Sequence, residues 1–232
     1  TKFYKSTIQD VDIRKAFTNA SGVERMIAQV IGSMYKAARY DLYQATRYLI
    51  AINMYDGYIT GVKVAAPTTT ENLENIVAVA RAIRSELEFP SRKYNTMKVL
   101  NETPIDRLRF FISTTLNATM DVKVLANAFN MDKADFMGRL HLIDDFSTFD
   151  NARFAEIRAQ SNGLEEVTSA ELNIMKDVIG VFGDSDWFQF YDNLTRMTEK
   201  YVASGLRWNY FYHTWKTFAM SPFAQGVVFV PG

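Results

Sequence analysis

The sequence has 232 residues, of which 48% are hydrophobic and 22% are charged, a composition typical of a folded globular protein with a sizeable core. Its 26 basic and 26 acidic residues give a formal net charge of zero, which argues against a dedicated nucleic-acid binder. The absence of cysteine excludes disulfides, a thiol nucleophile and a cysteine-based zinc site, and no apolar run reaches bilayer length, so we expect no membrane partner.

Two helices are predicted near the N-terminus. The sequence "TIQD" has the Ser/Thr-x-x-acid pattern of a helix start and predicts a short helix through Phe17. A stronger pattern begins at Ser21, a candidate N-cap, and continues with apolar residues at helical spacing and no proline. It ends at Asp56-Gly57, where glycine supplies a left-handed cap. This helix, about 21–55, would be ~50 Å long, roughly three times the usual length.

A strand, a helix and mixed short elements are predicted next. "YITGVKVAA" is strand-like, and a second amphipathic helix follows with Thr70 as a candidate cap. Its apolar face carries Leu73, Ile76, Val77, Ala80, Ile83 and Leu87, and it ends before Pro90. "RLRFFISTTL" predicts a strand, "DVKVLANAF" and "DKADFM" predict short helices, and "RLHLID" predicts an alternating strand.

The last third of the chain is predicted to be rich in strands. From Phe146 to about Lys176 the periodicity is lost, which we interpret as an insertion or surface loop. The segments "DVIGVF", "WFQFYDN", "GLRWNYFYHTWKTF" and "GVVFV" that follow are all strand-like. Because helices come first and strands are concentrated late, the order predicts an α+β fold rather than alternating βαβ units.

Few residues indicate chemistry. His141 and His213 are far apart in strand-like segments, and we expect ordinary, partly buried histidines rather than metal ligands. The G-x-S-x-G, P-loop and G-x-G-x-x-G patterns are absent. Four aspartates at strand ends could hold Mg²⁺ for phosphoryl transfer or nuclease chemistry: Asp144, Asp145, Asp184 and Asp186. We favour the alternative that they lie in turns because their side chains bond to the local backbone.

The segment from Gly205 to Phe218 carries six large rings. In a strand, Trp208, Tyr210 and Tyr212 would share one face, while Phe211 and Trp215 would lie on the other. A platform for stacking bases would show its rings on one face among Arg and Lys. We therefore expect both faces to be covered by protein, in the core and at a subunit interface, where Tyr and Trp are common.

Three parts of the sequence together resemble a known family. They are "FYKSTIQD" before the long helix, "DVKVLANAFNMDKADFMG" followed by "LHLIDDF", and "DWFQFYDNLTRM" followed by "GLRWNYFYHTWKTFAMSPFAQGVVFV". This combination resembles the major capsid proteins of phi-29-like tailed phages. The likeness covers about Phe3 to Val230, is most specific in "VLANAFNM" and "WNYFYHTW", and is absent across roughly 146–176.

The resemblance implies a Hong Kong 97-type capsid fold. The helix at about 21–55 would be its spine, and peripheral and axial domains would be interleaved along residues 1–232. The N-terminal arm and extended loop of that fold precede the spine, and only about twenty residues precede it here, so we expect both to be missing from this chain.

The implied function is that of a virion structural protein rather than an enzyme, with no cofactor. Its partners would be further copies of itself in pentamers and hexamers, a scaffolding protein, and packaged double-stranded DNA, with assembly in the host cytoplasm. An encapsulin-type nanocompartment shell is the first alternative, and the Mg²⁺-dependent enzyme and a single-strand nucleic-acid binder that uses the rings are two others. No interface residues are assigned from the sequence.

Overall fold

The computed structural model describes residues 2–16, 20–119, 139–143, 146 and 149–232. The chain forms two compact units, each assembled from three separate segments. The first unit contains Thr1–Thr46, Asp150–Glu166 and Phe190–Phe218, and the second contains Arg47–Phe149, Val167–Gln189 and Ala219–Gly232. The combination of helices and sheets confirms the predicted α+β class. No helix in the described ranges is long and apolar enough to cross a membrane.

The elements of the first half are β1 (Lys2–Gln9), α1 (Asp10–Ala16), α2 (Ala20–Tyr55), β2 (Thr60–Val64), α3 (Thr70–Glu88), β3 (Leu108–Ser113) and α4 (Thr114–Thr119). Those of the second half are β4 (Leu140–Ile143), α5 (Asn151–Ala159), α6 (Ser169–Lys176), β5 (Gly180–Asp184), β6 (Phe188–Val202), a 3₁₀ turn (Ala203–Gly205), β7 (Arg207–Met220) and β8 (Gly226–Pro231). The strands predicted in the last third are present, but β6 continues well past its predicted end at Asn193, and β7 is shifted by two residues from the predicted Gly205–Phe218.

The first unit contains a three-stranded sheet in the order β1-β7-β6. Strand β1 is antiparallel to β7, with Tyr4 opposite Tyr212. The sheet packs on α2 through a small core in which Tyr4 and Tyr212 lie with Met34 and Ala38 of the helix. Met34 and Ala38 are four residues apart and therefore lie on one face of the helix.

The second unit is built on a five-stranded mixed sheet in the order β2-β8-β5-β3-β4. Strand β3 alternates between buried and half-buried residues, so that Leu108, Phe110 and Ile112 point into the core. The predicted face of α3 is buried against this core, with Ile76, Ala80, Ile83 and Leu87 at spacings of three and four. Each buried isoleucine or leucine side chain of this face contributes about 1.5–3 kcal/mol relative to exposure.

The long helix predicted near the N-terminus is confirmed as α2, with 36 residues. It begins at Ala20, so Ser21 lies in its first turn rather than at the N-cap. Gly57 ends the helix with a φ of 73°, as predicted. The Gly57 N–H donates to Met54 O at 3.1 Å and the Tyr58 N–H donates to Asn53 O at 2.8 Å, which together form a Schellman motif.

The short helix predicted near the N-terminus is present as α1, but its predicted start is wrong, because only Asp10 of "TIQD" is helical. Residues Lys2–Gln9 form β1, and Thr7 pairs with Asn209 of β7. A partner about two hundred positions away stabilises the strand, and no local pattern reveals such a partner. The cap of α3 is also shifted by one residue, since the side chain of Thr69, not Thr70, accepts from Asn72 N at 3.2 Å.

The segment predicted as a loop near 146–176 contains two short helices. The Asp150 side chain caps α5, and Thr168 with Glu171 forms a capping box at α6. Helices of eight or nine residues show too few turns for a clear hydrophobic period. Whether the segment is an insertion stays a prediction, and the helices predicted at "DVKVLANAF" and "DKADFM" lie outside the described residues.

Candidate functional site

The acidic turn after β5 is organised by an arginine. Asp184 ends the strand, and its side chain is completely buried. Arg107 donates to Asp184 Oδ1 through Nε at 3.1 Å and Nη2 at 2.8 Å, and Nη2 also lies 2.6 Å from Asp186 Oδ2. The hydrogen bonds to Asp184 raise the pKa of Arg107 above its ordinary value despite partial burial.

These contacts decide the role of the two aspartates in the turn. The Arg107 guanidinium lies between carboxylates that a Mg²⁺ ion would have to bind. Asp184 Oδ1 also accepts from Asp186 N at 2.9 Å, which is the local backbone bond expected of a turn aspartate. Across the described ranges, no group of three or more His, Asp or Glu could hold a metal. The other two candidates, Asp144 and Asp145, lie outside the described residues.

The two histidines belong to different units and have separate local partners. His141 of β4 stacks on Phe111 of β3, with ring centroids 5.0 Å apart. Desolvation and the positive charge of Arg109 lower the pKa of His141. His213 Nε2 lies 3.1 Å from Thr198 Oγ1. These contacts agree with ordinary structural histidines.

The inner face of the ring-rich strand β7 is core. Tyr212 is buried, and its ring lies 4.8 Å from that of Tyr35 on α2 and 6.0 Å from that of Tyr4 on β1. Thr214 is also buried on this face. The inner rings therefore stabilise the sheet against the helix.

The outer face of the same sheet is open. Phe211 lies 6.2 Å from Phe3 and 6.1 Å from His213, and the Lys5 ammonium is 6.0 Å from the Phe211 ring. Phe3 and Trp215 are each 51% exposed. Among the described residues α2 covers the inner face, which agrees with the expected core side of this strand. The nucleic-acid hypothesis needs exposed rings and now depends on this outer face, while its role as an interface stays a prediction.

An ionic cluster in the first unit was missed at the sequence level. Asp41 of α2 is buried and receives two hydrogen bonds from Arg153 of α5, at 2.7 Å from Nε and 3.1 Å from Nη2. Lys2 Nζ lies 3.1 Å from Asp41, and Tyr4 Oη donates to it at 2.5 Å. Burial, followed by the Asp41 hydrogen bond, raises the pKa of Tyr4, so the phenol stays protonated.

This cluster has a signal in the sequence and a structural consequence. Asp41 lies three residues after Ala38 and four before Ala45, on the buried face of α2, where a carboxylate requires a partner. The partner is Arg153, so the ion pair attaches α5 to the long helix within the first unit. The cluster holds a structural position and presents no free reactive group.

Comparison with known proteins identifies the family of this chain. The family model for the Phi29-like phage major capsid protein matches residues 1–230. The chain belongs to this family. The major capsid protein of Bacillus phage B103 is 36% identical over 233 residues, which cover 99% of this chain and 46% of the relative. That of Bacillus phage PZA is 35% identical with the same coverage. The chain thus spans about half the length of these curated relatives.

Solved structures place the fold among phage capsids. The capsid of Staphylococcus phage Andhra aligns with a TM-score of 0.71 at 14% identity, covering 100% of this chain and 70% of the other. The capsid of cyanophage P-SCSP1u aligns with a TM-score of 0.56, also at 14% identity, covering 100% and 72%. These neighbours confirm the expected Hong Kong 97-type capsid fold.

Proposed function

We propose that copies of this protein self-associate into pentamers and hexamers that close into an icosahedral head around double-stranded DNA. The proposal is carried by the match of residues 1–230 to a family of phage major capsid proteins. It extends to a location in the virion after assembly in the host cytoplasm, with a scaffolding protein as a transient partner. The role is structural, and no catalytic residue, metal or cofactor is assigned.

Within this proposal the two units have separate roles. The first unit, with strands of 15 and 14 residues, is the peripheral domain, and the second, with its five-stranded sheet, is the axial domain. Helix α2 is the spine, since residues up to Thr46 belong to the first unit and residues from Arg47 belong to the second. The Asp41–Arg153 pair fixes α5 on the part of the spine in the first unit.

The physical basis of such a shell is repetition. A head-to-tail interface joins two different surfaces of neighbouring copies. It generates a ring when the repeated rotation from copy to copy returns to the first copy. Each contact can be weak, because a copy in a closed shell is held by several neighbours at once. A net charge of zero avoids long-range repulsion between copies and strong attraction to packaged DNA.

The test is the mass distribution of the purified protein across a concentration series, by light scattering and negative-stain microscopy. Pentamers, hexamers or closed particles are expected, with and without a co-expressed scaffolding protein. A monomer under both conditions would contradict the proposal. The contents of particles purified from cells separate it from the nanocompartment alternative, because a head contains nuclease-protected DNA and a nanocompartment contains a cargo enzyme.

The Mg²⁺-dependent enzyme is the weaker alternative. The pairing of Asp184 and Asp186 with Arg107 argues against it, because the guanidinium lies between the two carboxylates that would have to bind the ion. Calorimetric titration with Mg²⁺ and Mn²⁺ tests it directly. Tight binding that is lost in Asp144→Asn would favour the enzyme hypothesis, whereas the absence of any heat of binding would exclude it.

A further inference from the structure

The second unit exposes a group of large apolar side chains around one loop, here called the loop patch. Its members are Tyr58, Phe89, Met97, Leu100 and Phe223, which are between 53% and 69% exposed. Taking about 200 Å² for each large side chain, these fractions correspond to roughly 600 Å² of exposed surface. The largest apolar patch on a typical monomer is about 300–600 Å² and often functional. The loop patch therefore lies at the upper end of that range.

Hydrogen bonds hold the three chain segments of the loop patch together. Thr96 Oγ1 donates to Tyr58 O at 3.0 Å, Met97 N donates to Pro222 O at 3.2 Å, and Asn101 Nδ2 donates to Phe223 O at 2.8 Å. Ser91 and Asn101 exchange two backbone hydrogen bonds at 2.9 and 3.1 Å, which close the base of the loop. The exposed residues thus come from neighbouring backbone segments rather than from scattered positions.

The loop is also fixed internally. Asn95 is buried, and its side chain donates to Val99 O at 2.8 Å and accepts from Val99 N at 3.0 Å. Between them Lys98 has a φ of 53°, a conformation that costs a non-glycine residue about 1 kcal/mol and persists only when the surroundings hold it. A surface that is already ordered loses little conformational entropy on binding, which favours association.

The charge around the loop patch is mixed. Arg92, Lys93, Lys98 and Glu102 are exposed along the same loop, with Lys93 paired to Glu86 of α3, and no member of the patch is charged. An apolar centre with a polar rim is the usual anatomy of a protein–protein interface, where the rim sets orientation. Strong single-sign charge, which would indicate a nucleic acid or a lipid surface, is absent from this loop.

We infer that the loop patch is a contact surface for a second copy of this chain. The inference rests on the proposed shell function, which requires contacts between copies. The exposed area of roughly 600 Å² supplies most of the about 800 Å² that each partner contributes to a standard interface. Two copies with zero net charge also approach without long-range repulsion.

The test compares association of the wild-type protein, the double variant Phe89→Ser/Leu100→Ser and the control Leu142→Ser. Leu142 is 48% exposed on β4 in the same unit but is not a member of the patch. Sedimentation velocity over a concentration series measures the concentration at which half of the protein is associated. We expect the double variant to raise this concentration about tenfold or more, as for loss of interface hot spots, and the control to change it less than about twofold. Equal melting temperatures of all three proteins establish that folding is intact.

A photo-crosslinking amino acid at position 89, with a matched probe at position 142, gives a second readout. Crosslinked dimers from position 89 in excess over position 142 support the inference. If the wild-type protein and the double variant associate equally well, the inference is wrong and the proposed shell function is unaffected. Dimers that form only through the patch support the inference and contradict the closed shell. A wild-type protein that stays monomeric throughout overturns the inference.

Discussion

Trp187 occupies a slot made by two glycines, and filling that slot should destabilise the second unit. Gly183 of β5 and Gly226 of β8 pair directly across the two strands. A Cβ at Gly226 would lie 2.2 Å from Trp187 Cζ2, and a Cβ at Gly183 would lie 2.3 Å from Trp187 Cε3. Carbon atoms in contact are about 3.5–4.0 Å apart, so the ring would have to move by more than about 1 Å.

The indole has little room for that movement. Trp187 is 4% exposed, and its backbone is held by bonds from Trp187 N to Asp184 O at 3.0 Å and from Ser221 N to Trp187 O at 2.8 Å. The ring must therefore rotate out of the core or force the strands apart. Overpacking costs about 1–3 kcal/mol, and loss of a buried Trp side chain costs about 3–5 kcal/mol. We expect Gly226→Ala to cost about 3 kcal/mol.

Thermal unfolding followed by circular dichroism and by tryptophan emission measures this cost. A loss of about 3 kcal/mol corresponds to a decrease in Tm of roughly 6–12 °C for a protein of this size, and an expelled indole shifts the emission to the red. The matched control is Gly61→Ala on β2, where a Cβ meets nothing within 4 Å, and we expect its Tm within about 2 °C of wild type.

A double-mutant cycle separates the clash from other effects. Once Trp187→Ala is present, Gly226→Ala has no ring to displace. The free-energy cost of the double variant should therefore be smaller than the sum of the two single-variant costs by more than about 1 kcal/mol. A Gly226→Ala protein with the Tm and emission of Gly61→Ala would refute the reasoning. Additive free-energy costs in the double-mutant cycle would also refute the reasoning.

Three other predictions concern ion pairs and the long helix. Arg107→Met leaves the buried Asp184 carboxylate without its charge partner and should lower the free energy of unfolding by about 3 kcal/mol in urea titrations. Asp41→Asn removes the charge that pairs with Arg153, but the substituted amide oxygen can still accept a hydrogen bond from the guanidinium, so we expect a smaller loss of about 2 kcal/mol, also by urea titration. Gly32→Ala in α2, where a Cβ meets nothing within 4 Å, should raise the free energy of unfolding by about 0.5–1 kcal/mol, measured as a higher Tm.

Each of the three has an outcome that contradicts it. Asp186→Asn, on the exposed side of the Arg107 network, is the control for the first, and equal losses in the two variants would show that burial of Asp184 does not matter. For the second, Glu156→Gln removes the exposed partner of Arg153 and should cost less than about 0.5 kcal/mol, and a loss equal to that of Asp41→Asn would contradict the prediction. A lower Tm for Gly32→Ala would mean that α2 is covered at Gly32 by another chain or segment.

The sequence by itself determined the elements whose signals are local. The 36 residues of α2 follow from an unbroken helical stripe, and its end follows from Gly57, because only glycine takes a left-handed conformation without strain. The apolar face of α3 and the late strands were predicted for the same reason, since periods of 3.6 and 2 depend on nearby residues alone. The family resemblance came from "VLANAFNM" and "WNYFYHTW", which are likewise local patterns.

Only the tertiary structure decided the features that join distant residues. Strand β1 exists because β7 pairs with it, and the pairing of Asp41 with Arg153 spans 112 positions in the chain. The acidic turn became a structural ion pair only when Arg107, 77 positions earlier, was brought to Asp184. Pairing energy of this kind depends on which segments meet in space, and no local period or cap encodes that choice.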